Sequence, residues 1–314
     1  MLSLKTRGQP ATSGRTQRPI AQVHMEVTME GSVQPESVVV GVDTSTSSLT
    51  ALDWAIAFAH ETQSAIHLVH AFSHDHPDLA FNMGTGAEDL RAVGDEVIEH
   101  AIDRIRLQDN DIHITIARSG GYPAAALVRA SRNARIVVVG ALGDSLSRLS
   151  PLGETAHQVA AHSQCPVAVI RPSSGSDYGR ITVGVDRSDG SHKALDWAFT
   201  RAEQTGRELL VLHAWQPRDA EDPALGVASW EEYTTQCRSD IGASVADQQS
   251  RHPSVKVLTE IADGKPVRRL IELAHSSDLV VVGARGHGGF ESLALGRVAG
   301  EVLGHAPSSV VAVH

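Results

Sequence analysis

A chain of 314 residues is long enough for about two domains of ordinary size, each able to bury its own core. At 41% hydrophobic and 20% charged it reads as globular rather than disordered or membrane-embedded, and a formal net charge of −10 disfavours a broad nucleic-acid or phospholipid surface, which needs a basic patch. Two cysteines, Cys165 and Cys237, are too few to staple such a chain, and no apolar run reaches spanning length or resembles a leader, so a cytoplasmic protein without a nucleic-acid or membrane partner is expected.

In chain order, residues 1–35 scatter Lys5, Arg7, Arg15 and Arg18 among Gly, Pro, Ser, Thr and Gln without apolar periodicity, the composition of a disordered tail. A basic arm for an anionic partner is the alternative, and Met25 or Met29 offers an alternative start. Short β-branched runs then predict strands near 37–43, 65–72, 112–118, 135–140 and 166–171, separated by helical periodicity. In the first helix Leu52, Ala55, Ile56 and Ala59 fall at i, i+3, i+4 and i+7, a stripe that faces a sheet. Trp54 is read as a packing residue rather than a stacking platform, as is Trp197 further on.

The same landmarks return 143 residues later. Val-Val-Val-Gly-Val-Asp ending at Asp43 recurs as Ile-Thr-Val-Gly-Val-Asp ending at Asp186, and Ala51-Leu52-Asp53-Trp54-Ala55 recurs as Ala194-Leu195-Asp196-Trp197-Ala198. His70 maps to His213, Gly121 to Gly264, and Gly140, Gly143 and Gly153 map to Gly283, Gly286 and Gly296. The expected domains are 36–172 and 179–314, joined by a turn-rich linker at Pro172 to Asp177. Alternating strands and crossover helices predict an α/β fold, two tandem five-stranded parallel-sheet domains with flanking helices.

In such sheets ligands gather beyond the carboxyl ends of strands, where connections diverge. Gly41-Val42-Asp43 and Gly184-Val185-Asp186 close the first strand of each copy. Val137 to Gly143 and Val280 to Gly286 close the fourth, and after nine intervening residues comes Gly153 or Gly296 at the start of a helix. Glycines there let backbone N–H groups approach an anion, and a helix N-terminus adds about half a positive charge. Phosphate fits such a place; turn glycines without a ligand are the alternative. Asp43 and Asp186 suit either of two tasks, holding Mg²⁺ with the phosphates or capping the following helix. His70 and His213 read first as hydrogen-bonded structural histidines, and Cys165 as buried and inert.

The G-x2-G-x9-G run, present twice after a strand, resembles the universal stress protein family, and the resemblance extends over both copies. It implies a five-stranded, adenine nucleotide alpha hydrolase-like or Rossmann-like fold, with ATP on the strand-one aspartate and the glycine run. Carried over residue by residue, the implied contacts are Asp43, Gly121, Gly140, Gly143 and Gly153, then Asp186, Gly264, Gly283, Gly286 and Gly296. Where the family places Ser or Thr after the last glycine, this chain has Glu154 and Arg297. Leu142 and Asp144 in the first copy face Arg285 and His287 in the second, so the two pockets are expected to differ in charge, with Glu154, Arg285, His287 and Arg297 counted among the ligand contacts.

No Walker lysine, paired carboxylates or nucleophile elbow is present, which favours a regulatory nucleotide-binding module in stress or dormancy over an enzyme. The alternatives are a slow ATPase or adenylyl-transferring enzyme, with Asp43 or Asp186 on Mg²⁺ and Glu154 orienting water, and a flavin module on the same kind of sheet. The resemblance also implies pairing of the copies about a pseudo-two-fold axis, or a homodimer, through the last strands, Val167 to Arg171 and Val310 to Val313.

Overall fold

The computed structural model describes residues 33–72, 87–143, 151–172, 175, 177–216, 230–286 and 294–314. Of the tail expected at 1–35, residues 1–32 lie outside them, while Val33 is partly buried against the core. The first copy runs β1 (Ser37–Gly41), α1 (Thr46–Thr62), β2 (Ile66–Phe72), α2 (Ala87–Gln108), β3 (Ile114–Gly120), α3 (Pro123–Ala130), β4 (Ala134–Gly140), α4 (Glu154–His162) and β5 (Val167–Ile170). The second runs β6 (Arg180–Gly184), α5 (Asp189–Thr205), β7 (Glu208–Trp215), α6 (Trp230–Arg251), β8 (Val257–Asp263), α7 (Pro266–Ala274), β9 (Leu279–Gly283), α8 (Arg297–His305) and β10 (Ser309–Val313).

The inner strands are apolar without alternation because both faces are covered. Val38, Val39 and Val40 of β1 and Val280 and Val281 of β9 are all fully buried, as parallel strands under helices on both sides require. Helix α1 starts where Ser45 accepts a hydrogen bond from the Ser48 amide at 3.0 Å, and Ser188 does the same for Ser191 at 3.2 Å ahead of α5. Both helices stop at a left-handed residue, Gln63 with φ 51° and Gly206 with φ 65°. The expected apolar stripe is the buried one: Leu52, Ala55, Ile56 and Ala59, then Leu195, Ala198, Phe199 and Ala202.

Among the described residues the strands form one ten-stranded sheet, ordered β3-β2-β1-β4-β5-β10-β9-β6-β7-β8. Each half keeps the same order, and all its pairings are parallel. The halves join by the antiparallel pair β5 and β10, with Val310 opposite Val169, Val311 opposite Ala168 and Ala312 opposite Val167. These are the two last strands, which left as edges would expose unpaired backbone and β-branched side chains. One core layer lies under α1, α2, α5 and α6 and the other under α3, α4, α7 and α8, and both run through the seam. The connections diverge between β1 and β4, and again between β6 and β9, so each half has one switch point at its carboxyl edge.

Candidate functional site

Each switch point is built by two short segments that close on one another. The first follows β1. His70 Nδ1 donates to the Val42 carbonyl at 2.8 Å and His213 Nδ1 to the Val185 carbonyl at 2.8 Å. These histidines are structural, and they fix the backbone immediately before the aspartates. Asp43 Oδ1 then accepts from the Ser45 amide at 2.9 Å and the Ser45 hydroxyl at 2.6 Å. Asp186 repeats this with Ser188 at 3.1 and 2.5 Å. Serine is thus the helix cap, and the aspartate holds the cap with one oxygen while the other faces the second segment.

That second segment is the glycine run after β4 or β9. A Cβ on Gly143 would sit 3.4 Å from Asp43 Oδ2, and one on Gly286 only 2.5 Å from Asp186 Oδ2. Gly140 lies so close to α1 that a Cβ would fall 2.7 Å from the Ser47 carbonyl carbon; the same atom on Gly283 would fall 2.7 Å from that of Gly190. The return to the helix is latched by Gly153 N–H to Ala141 O and Gly296 N–H to Ala284 O, each 2.8 Å. Gly153 and Gly296 are the N-caps of α4 and α8, and neither end has a side-chain cap. The first-turn amides there keep their capacity for an anion.

The structure therefore brings Asp43, Gly140, Gly143 and Gly153 into one cluster, and Asp186, Gly283, Gly286 and Gly296 into a second. Gly41 and Gly184 play another part: their missing side chains make room for Leu127 and Leu270, whose methyls would lie 3.1 Å from an added Cβ. Gly121 and Gly264 close the turns after β3 and β8 with φ of 111° and 126°, a conformation suited to glycine. They stand on the far side of β1 and β2, or β6 and β7, from the glycine run.

Charged candidates sit at the rim. Glu154 is exposed on the first turn of α4, and Arg297 on α8 is three-quarters exposed, its Nη1 3.3 Å from Glu301. Arg285 is exposed beside Gly286. Asp144 and His287 lie outside the described residues.

Two features escaped sequence reasoning. The Ser47 hydroxyl accepts from the Leu142 amide at 3.3 Å, whereas the equivalent position is Gly190, so only the first copy can tie its loop to its helix in this way. Beside the second loop, the Ala284 amide donates to the Val313 carbonyl at 2.7 Å. The next residue, His314, has its pKa held down to about 4 by burial, with the Arg285 and Lys193 cations adding to it. Cys165 has its thiol pushed up to about 12 by burial and is inert. A separate cavity of about 590 Å³ opens at the seam, lined by residues including Phe58, Lys193, Trp197 and His314; neither glycine run lines it.

Fold and site define a class, a tandem open-sheet α/β protein with a glycine-lined cleft at each switch point. The Universal stress protein family profile matches residues 35–171 and 177–314. Universal stress protein Rv1996 of Mycobacterium tuberculosis is 30% identical over 300 residues, covering 87% of this chain and 93% of its own. A universal stress protein of Mycolicibacterium smegmatis is 28% identical over 296 residues, covering 91% and 99%. Among solved structures, a universal stress protein from Archaeoglobus fulgidus superposes with a TM-score of 0.63 at 19% identity, covering 90% of this chain and 97% of that one. The chain belongs to the universal stress protein family.

Proposed function

We propose that each half binds ATP or a closely related adenine nucleotide at its switch point, and that occupancy rather than turnover carries the signal in a stress or dormancy response. The observation that supports this most is the paired cradle: bare glycine backbone closing on one carboxylate oxygen beside a helix N-terminus without a side-chain cap. Glycine amides and the end of a helix suit a polyphosphate, and side chains there would fill the space the phosphates need. Asp43 and Asp186 each direct one oxygen toward the run, a place where Mg²⁺ would sit between carboxylate and phosphate. Gly121 and Gly264 border the cleft rather than the phosphates in this reading.

Chromatography and mass spectrometry of the small molecules released on denaturing freshly purified protein test the ligand class. An adenine nucleotide near two per chain is the expected result; a released flavin sinks it. A steady-state assay with Gly286→Glu protein as control distinguishes binding from turnover, and ATP hydrolysis that this variant abolishes would make the second half an ATPase.

A further inference from the structure

At the seam, α1 packs over β5 and α5 over β10, and their side chains meet above the antiparallel pair. Residues 143 apart are equivalent, so Phe58 corresponds to Arg201, Trp54 to Trp197 and Glu61 to Gln204. Phe58 stacks on Trp197 with centroids 6.5 Å apart and planes 4° from parallel. The equivalent contact is made by a cation: the Arg201 guanidinium lies over the Trp54 ring at 5.6 Å. The two equivalent positions also touch each other, with the guanidinium 4.8 Å from the Phe58 centroid. Glu61 forms an ion pair with Arg201, while its counterpart Gln204 carries no charge. Arg201 is only 7% exposed, so its counter-ion matters more than in a surface pair.

We infer that this seam is heterospecific: the ring and carboxylate of the first half fit the guanidinium of the second, and each half rejects a second copy of itself. Two first halves would bring Phe58 against Phe58 and leave two Glu61 carboxylates without a cation. Two second halves would press buried guanidinium groups together at about 5 Å, with amides where carboxylates are needed, and like charges held from water at that spacing repel strongly. Discrimination thus comes from the repulsive combinations as much as from the favourable one. The partner of each half is the other half, whatever ligand the clefts hold.

The test uses the full chain. Phe58→Arg places two cations on the axis and is expected to lower the thermal midpoint by roughly 5 °C. Exchanging the roles, with Phe58→Arg, Glu61→Gln, Arg201→Phe and Gln204→Glu together, rebuilds every contact with the halves reversed and is expected to recover at least half of that loss. An exchanged protein that melts at or below Phe58→Arg overturns the inference. A separate cycle of Glu61→Gln, Arg201→Gln and both, followed by urea unfolding, keeps the inference testable where the exchange does not fold. Coupling of roughly tenfold in the unfolding equilibrium is expected, and effects that multiply to within twofold of independence overturn it.

Discussion

Glycines 140 and 283 differ from 143 and 286 in what a methyl group would strike, and so in what their replacement should do. At Gly140 and Gly283 the obstacle is backbone of the facing helix at 2.7 to 2.8 Å, so alanine must push α1 or α5 away at a cost of about 1–3 kcal/mol. Gly143→Ala meets only ordinary contact at 3.4 Å and should leave the melting midpoint within a degree or two. Gly286→Glu sets a carboxylate against Asp186 in the exposed mouth of the second cradle. It should remove nucleotide binding there while the folded protein persists, and unchanged affinity by calorimetry would reduce that run to a turn. Acid stability draws on the buried histidines, of which His67 is one and His314 another. His67 is buried against Thr115 Oγ1 at 2.7 Å, and burial lowers its pKa from 6.5 to about 4. The native state holds it neutral while the unfolded chain protonates it near 6.5, so stability falls as pH drops from 6.5 toward 4, by about 3 kcal/mol in all. Urea titrations of His67→Asn should show a flatter profile across that window; an unaltered slope would place the acid sensitivity elsewhere.

At the scale of elements, the helices α4 and α8 begin alike and carry opposite charge. Glu154 would approach a polyphosphate as like charge, whereas Arg297 need only leave an exposed pair with Glu301, worth about 0.3–0.5 kcal/mol, to donate to it. A charge contact at ~4 Å and an effective dielectric of about 20 is worth roughly 4 kcal/mol before screening, and a surface cleft keeps about a quarter to a half of it. The second half should therefore bind on the order of tenfold more tightly. Calorimetry on Gly143→Glu and Gly286→Glu proteins in metal-free buffer separates the halves, and equal constants would refute the charge difference. Mg²⁺ shared by Glu154, Asp43 and the phosphates would narrow the gap, which is why the comparison needs metal-free buffer. Much of this level was legible in the sequence, because strands without alternation, the four-residue apolar stripe and recurring glycines are local signals. Gly41 and Gly184 show where the sequence is silent: a strand-end glycine that yields space to Leu127 or Leu270 looks the same in sequence as one that yields it to phosphate. Ser47 against Gly190 was hidden because the bond to the Leu142 amide joins segments 95 residues apart.

For the whole molecule, the family resemblance implied one pseudo-symmetric pair, and the last strands were the edges that needed covering. Which side chains make that pair unequal was not legible, since Phe58 and Arg201 acquire meaning only when equivalent positions face each other. The same seam sets how the chain should unfold. Val167, Ala168, Val169, Val310, Val311 and Ala312 are all fully buried, and both core layers pass through them. Separating the halves would expose these residues together with Phe58 and Trp197. Burying a side chain of valine size contributes about 1.5–3 kcal/mol, so several such losses exceed what a half-chain with a free edge strand can bear. One cooperative transition is expected, with calorimetric and van't Hoff enthalpies in agreement. Ligand linkage sharpens the test, because nucleotide at 100 times its Kd stabilises the folded state by about 2.7 kcal/mol per site. In Gly286→Glu protein only the first half binds, yet a cooperative chain passes that protection to the second. Proteolysis within α6, which belongs wholly to the second half, should slow when nucleotide is added to this variant. Two resolved melting transitions, or cleavage in α6 at an unchanged rate with the first site saturated, would mean that the ten-stranded sheet does not unfold as one unit.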